Sequence, residues 1–236
     1  MITTDRIHMW VERIEQEKIP APSWIEEKQV FEYPALDPQI VAFLKVARAA
    51  QSLHALPLLA NAGLISDFGA IIRIINECLE DALFLAEGDP KTERNVTDYV
   101  EHFASTTIEN AETSTPSPVP RKKIQNAASR VISNLAQGTL GGFGEIEKET
   151  KRLHNNIWNT FCNAVHSNYA EIMQMYGPLG PRARFQLGGR PKNQLPSELE
   201  EWTNEQRIRT AITLWGIAMK FGLGDLAHEI ETALSE

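Results

Sequence analysis

This chain is predicted to be all-α, a single domain built as one bundle of seven or eight helices. Three observations point there. Apolar residues recur at three- and four-residue spacing through most of the 236 residues. Two such stretches, 67–87 and 145–176, are long and apolar enough to run through the centre. Glycine and proline fall between the periodic stretches, where they stop helices.

Residues 3–18 form the first expected helix, with Ile7, Trp10, Val11 and Ile14 as its apolar stripe. Residues 19–38 are a proline-rich arm with little periodicity. Its Trp24, Phe31 and Tyr33 are too apolar for a free linker and should lie on the core or on another subunit. Asp37-Pro38 opens a second helix, with Asp as N-cap and Pro at the first helical position. It should run towards Ala60, with Pro57 kinking or ending it, and Asn61-Ala62-Gly63 is a turn.

Ser66 is expected to cap the third helix, 67–87, stopped by Gly88-Asp89-Pro90. Phe68, Ile71, Ile72, Ile74, Ile75, Cys78, Leu79, Ala82, Leu83 and Leu85 cover about half its circumference. Its narrow polar stripe is Arg73, Asn76, Glu77, Glu80 and Asp81. Three acids and one arginine on one stripe want a further cation: an Arg, a Lys, a histidinium or a metal. A solvated face, ion pairing to a neighbouring helix and a functional site all stay open for it.

A short helix is expected at 91–104 through Val96, Tyr99, Val100 and Phe103. Residues 105–119, rich in Ser, Thr and Pro, read as a mobile loop. Arg121 to Gln137 is helical, with Ile124, Ala128, Val131, Ile132 and Leu135 inward. The glycine-rich run 138–144 precedes the long helix. It lacks the Lys-Ser/Thr of a phosphate loop, and Glu145 puts negative charge where an anion would sit, so a plain connection is expected.

The 145–176 helix, about 48 Å long at ~1.5 Å per residue, should stop at Gly177-Pro178. Its apolar side carries Ile157, Phe161 and Ile172. Its other face is rich in asparagine, a poor helix former: Asn155, Asn156, Asn159, Asn163 and Asn168. Such a face suggests side chains bonded to protein or ligand, with His166 and Tyr169 at its edge. His166 reads as a structural histidine, as a catalytic or ligand-binding one, or as a metal ligand. Beyond it, Arg182, Arg184, Arg190 and Lys192 make a basic loop that either pairs with this protein's own acids or contacts RNA, a nucleotide or an acidic partner. Phe185 and Leu187 there have strand-like alternation. Ser197 starts a last helical region with Trp202, Ile208, Ile212, Leu214, Trp215, Ala218 and Phe221 inward, and Asp225 caps a final short helix.

Composition narrows the function classes. A net charge of −8 repels nucleic acid and anionic membranes except at a local basic patch. Two separated cysteines, Cys78 and Cys162, fit a reducing compartment. No apolar run reaches the ~20 residues of a membrane span, and the N-terminus has no signal-peptide apolar segment. The expected location is cytoplasmic. Zinc and di-iron spacings, a G-x-S-x-G elbow, a Walker motif and Rossmann glycines are absent from the sequence, so no metal and no cofactor is expected.

Leu53 to Gly88 and Phe161 to Gly177, the second holding Val165-His166-Ser167-Asn168-Tyr169, resemble a loose group of bacterial all-helical proteins. That group is distantly similar to the HEPN helical superfamily, which includes RNA-cutting toxins and nucleotide-binding modules. The resemblance implies a HEPN-like bundle. HEPN nucleases place an arginine ahead of their histidine with four to six residues between the two; here those positions are Phe161, Thr160 and Asn159. The first expectation is therefore a degenerate HEPN-like interaction module that self-associates. The alternative is a metal-independent ribonuclease or nucleotide-handling enzyme, in toxin or phage-defence chemistry, with His166 as acid/base, Arg73 stabilising charge and Glu77 orienting one of them. Asn159, Asn163, Tyr169, Arg182, Arg184 and Arg190 are its candidate binding residues. A metal carboxylate site on Glu77, Asp81 and His166 is a third, weaker reading.

Overall fold

The computed structural model describes residues 2–87, 92–105, 117–139, 176–179, 182–185 and 195–236, with 133–139, 176–179 and 182–185 by backbone. The protein is an all-α bundle, as its periodicity predicts, with two small hairpins added. The elements are α1 (Thr4–Lys18), β1 (Ser23–Ile25), β2 (Val30–Glu32), α2 (Pro38–Ser52), α3 (Ala55–Ala62), α4 (Ile65–Ala86), α5 (Glu93–Ser105), α6 (Arg121–Thr139), β3 (Tyr176–Leu179), β4 (Arg182–Phe185), α7 (Leu199–Lys220) and α8 (Gly224–Ser235).

α1 starts where Thr3 accepts the Arg6 backbone N–H at 3.2 Å. Ile7, Trp10, Val11 and Ile14 are buried, the stripe read from the sequence. Ile7 and Ile14 are wholly buried, and each such side chain contributes ~2 kcal/mol relative to exposure. α2 opens as expected, with Asp37 Oδ1 accepting from Ile40 N at 2.7 Å and Pro38 at the first turn. It ends at Ser52, however, well short of Ala60. The break precedes Pro57 because proline lacks an N–H and crowds the carbonyl four residues back, here Leu53. Pro57 then fits the first turn of α3, where that N–H is not needed.

Gly63, left-handed at φ 72°, closes α3. The chain passes straight into α4, whose first bond runs from Phe68 N to Leu64 O at 2.9 Å. Ser66 is therefore inside the helix, and the expected Ser66 cap is not used. α4 is the centre of the described bundle and packs against α2, α3, α6 and α7. Phe68, Ile72, Ile75, Leu79, Ala82 and Phe84 join a core cluster that runs through α1, α2, α5, α7 and α8. The second expected central helix, 145–176, lies outside the described residues apart from Tyr176. That residue begins a strand rather than ending a helix: Tyr176 pairs with Phe185 and Gly177 with Arg184. The expected stop at Gly177-Pro178 is thus the middle of a short antiparallel strand, and the alternation at Phe185 is realised in β4.

In the 19–38 arm, Trp24 and Phe31 do not lie on the core, one of the two placements expected for them. The arm contains a β1–β2 hairpin with Trp24 opposite Phe31. Both rings are outside the core, 45% and 67% exposed. Val119, assigned to a loop with little to bury, is 3% exposed and sits in the core. α7 departs from its expected inward face as well, since Ile208 is exposed while Thr203, Gln206, Thr210 and Thr213 are buried. Thr203 and Thr210 donate to the carbonyls of Leu199 and Gln206, both at 2.8 Å. Those hydroxyls need no water, and this polar face can enter the core.

Candidate functional site

The polar stripe of α4 is mostly buried. Asn76, Glu80 and Asp81 are 4–6% exposed. A carboxylate carried out of water is costly unless paired and hydrogen-bonded, so α4 can pack here only if neighbouring helices bring cations. Two do. Arg121, the first residue of α6, bridges Glu80 and Asp81 through its two terminal nitrogens. Its Nη2 also donates to the Glu77 carbonyl at 3.0 Å. Lys45 of α2 reaches Asp81 Oδ2 at 3.0 Å and lies over the rings of Tyr99 and Phe103, 5.5 and 5.1 Å from their centroids. The Tyr99 hydroxyl donates to Asp81 Oδ2 at 2.6 Å. The stripe's demand for further cations is met by Arg121 and Lys45, and of the readings left open, ion pairing to neighbouring helices is the one found.

The electrostatics follow from burial. Desolvation raises the Glu80 carboxyl above its ordinary range, although Arg121 opposes the shift. Burial works against the Arg121 charge, but Asp81 and Glu80 outweigh it and hold the guanidinium more firmly protonated than usual. Burial first, then Asp81, pushes the Tyr99 phenol up, so it stays a donor. Burial also raises the Cys78 thiol, which is half-buried against the core and suited to packing rather than attack. On α7, burial lowers the Arg209 guanidinium, opposed by Glu80 and Glu205. Chemically this cluster is a clamp: its strongest acceptors are filled by strong donors.

Arg73 and Glu77 come together at the rim. Arg73 Nε donates to Glu77 Oε1 at 2.7 Å, with the two side chains 13% and 36% exposed. The pair exists, as their spacing suggests, and each is the other's partner. Asp81 is paired with Lys45, Arg121 and Tyr99, and His166, the third member of the Glu77–Asp81 metal grouping, lies outside the described residues. His166, Asn159, Asn163, Tyr169 and Arg190 lie outside the described residues. Arg182 and Arg184 stand two apart in β4, opposite Leu179 and Gly177.

Among the described residues no three His, Cys, Asp or Glu side chains gather as a metal site, and no helix is long and apolar enough to cross a membrane. Arg121, Lys45 and Tyr99 were missed as members of the cluster. The sequence signals a need for cations on α4 but cannot say which distant residues supply them. Comparison with protein-family models, curated proteins and solved structures finds no match to this chain.

Proposed function

We propose that this protein is a helical association module, and that it acts by pairing with a second copy through the β1–β2 hairpin. The observation that carries this reading is the exposed Trp24–Phe31 pair. The two rings meet edge to face, 4.9 Å between centroids, on a sheet of two strands. An isolated two-stranded hairpin is marginal in water, and each of its strands has an open edge that invites another chain. A twofold contact between like hairpins would cover both aromatics and pair one edge. The α4 cluster supports the same reading from the other side, because its charges are committed to one another and leave little for chemistry. In this reading the HEPN resemblance carries the helical scaffold and not the ribonuclease activity.

Size-exclusion chromatography with light scattering tests it. The wild type at micromolar concentration is expected at twice the 26.5 kDa of one chain. Trp24→Ser with Phe31→Ser should return it to one chain's mass. A wild type already at that lower mass, or a double variant that still pairs, overturns the reading.

A further inference from the structure

We propose that a second copy of this chain joins through the outer edge of β2, antiparallel and centred on Val30, so that Lys28 of each chain pairs with Glu32 of the other. The inference rests on the reading of the β1–β2 hairpin as an association surface, and names the strand, the register and the charges of the contact.

A two-stranded sheet has two outer edges, and those of this hairpin are not alike. Pro20 and Pro22 lead into β1, the second of them immediately before Ser23. Proline has no N–H to give a neighbouring strand, so it guards an edge against pairing. On the other side, the run from Lys28 to Tyr33 that contains β2 holds no proline. The charges differ as well. Glu26, next to β1, is taken up inside the hairpin: its carboxylate accepts from the Trp24 indole at 2.6 Å and from Gln29 Nε2 at 3.1 Å. Lys28 and Glu32 flank β2 and meet each other at 3.1 Å, with each side chain 41% exposed.

That pair sets the register. Lys28 stands two residues before Val30 and Glu32 two residues after it. A twofold axis at Val30 therefore sets Val30 against Val30 of the second copy, Lys28 against its Glu32, and Glu32 against its Lys28. Opposite side chains stand about 4.5–5.5 Å apart at Cβ, within reach of an ion pair. The two pairs within the chains are exchanged for two that cross between them. An exposed ion pair contributes little to the single chain, so opening it costs little. Lys28 itself lies on the turn, since its N–H donates to the Ile25 carbonyl at 3.2 Å and Gln29 is left-handed at φ 55°. Its flexible four-carbon stem covers that offset.

A neighbouring register lacks this match. With the axis at Phe31, Val30 would oppose Glu32 and Lys28 would oppose Pro34, so neither charge would meet an opposite one. The Val30 axis also suits the aromatics. Phe31 lies on the sheet face opposite to Val30 and Glu32, paired with Trp24. Phe31 and its symmetry mate become diagonal neighbours about 7–8 Å apart, a distance aromatic side chains span. The Trp24–Phe31 pairs of the two copies then form one row of four rings across a four-stranded sheet, and a sheet of three or more strands holds where a lone hairpin is marginal.

Charge reversal tests the register, with mass read by size-exclusion chromatography and light scattering on the full-length protein at micromolar concentration. Lys28→Glu would bring four carboxylates together at the contact, and Glu32→Lys four ammonium groups. Each variant alone should run at one chain's mass, with self-association weakened at least about 10-fold by the like charges. An equimolar mixture of the two variants should return to twice that mass, because every contact then joins opposite charges. A chain carrying both Lys28→Glu and Glu32→Lys should again pair with itself. Recovery in the mixture separates a lost contact from a damaged hairpin. If either single variant pairs as tightly as the wild type, or the mixture stays at one chain's mass, the register is overturned while association through Trp24 and Phe31 stands. A wild type at one chain's mass overturns both.

Discussion

The middle of α4 and the β1–β2 hairpin invert the usual placement of residues in opposite directions. α4 carries two carboxylates, Glu80 and Asp81, into the interior, whereas the hairpin leaves Trp24 and Phe31 in water. The difference lies in what each region is given to work with. α6, α2 and α5 bring Arg121, Lys45 and Tyr99 to the acids of α4, so these carboxylates are paired within the chain. The hairpin has two short strands and one aromatic pair, and none of its strand residues is buried. A buried charge that is paired within the chain belongs to the fold; an aromatic pair left in water points to a partner.

The largest expected effect comes from breaking the clamp. Arg121→Met leaves two carboxylates in the interior without their bridging cation. Losing one partner of a buried ion pair costs about 3–5 kcal/mol, and the shift in the urea midpoint of unfolding measures it. Replacing the acids as well, by Glu80→Gln and Asp81→Asn, should recover much of the loss, since a neutral cluster is cheaper to bury than a half-paired one. A small effect of Arg121→Met alone would mean that α4 and the hairpin do not differ as described.

A smaller effect tests the electrostatics within the clamp. Glu80 has its folded pKa raised above the unfolded value, chiefly by burial. The folded state then holds the proton more tightly than the unfolded state, so this group favours folding at low pH and loses that contribution as pH rises. The loss begins near the unfolded value of about 4.3 and is complete above the raised one. Glu80→Gln cannot titrate. The stability of wild type minus that of Glu80→Gln should therefore fall as pH increases from 4 upward and then level off. A difference that grows with pH would show that Arg121 outweighs burial.

These contrasts explain which parts of the molecule the sequence discloses. Local signals translate directly where a side chain caps its own helix or a stripe repeats each turn, as at the Asp37-Pro38 start of α2 and the Ile7–Ile14 stripe of α1; Asp225, expected to cap the last helix, instead lies inside α8, which starts after Leu223 without a side-chain cap. The α4 cluster is half legible. The surplus of acid on one stripe is visible from residue types, but Arg121 comes from 40 residues away, and no periodicity reports such a distance. Tyr176 shows the opposite failure. Its glycine and proline neighbours look like a helix stop, yet a pairing partner at Phe185 makes them strand. Gln206 and the buried threonines of α7 defeat an apolar-face reading, because bonds to helix carbonyls and to Asn76 satisfy them.

The smallest expected effect is on stability at the hairpin. Trp24 and Phe31 touch each other, and the Trp24 indole donates to Glu26 at 2.6 Å, all within the same few residues. Surface changes away from core, caps and networks usually stay within about 0.5 kcal/mol. Trp24→Ser with Phe31→Ser should therefore leave the unfolding midpoint almost unmoved at protein concentrations too low for pairing. At higher concentration the outcomes separate. A wild type that pairs gains stability by mass action as concentration rises, and the double variant should not. If the variant instead loses well over 1 kcal/mol at every concentration, the hairpin belongs to the fold, and its aromatics are supporting structure rather than a surface kept for another chain.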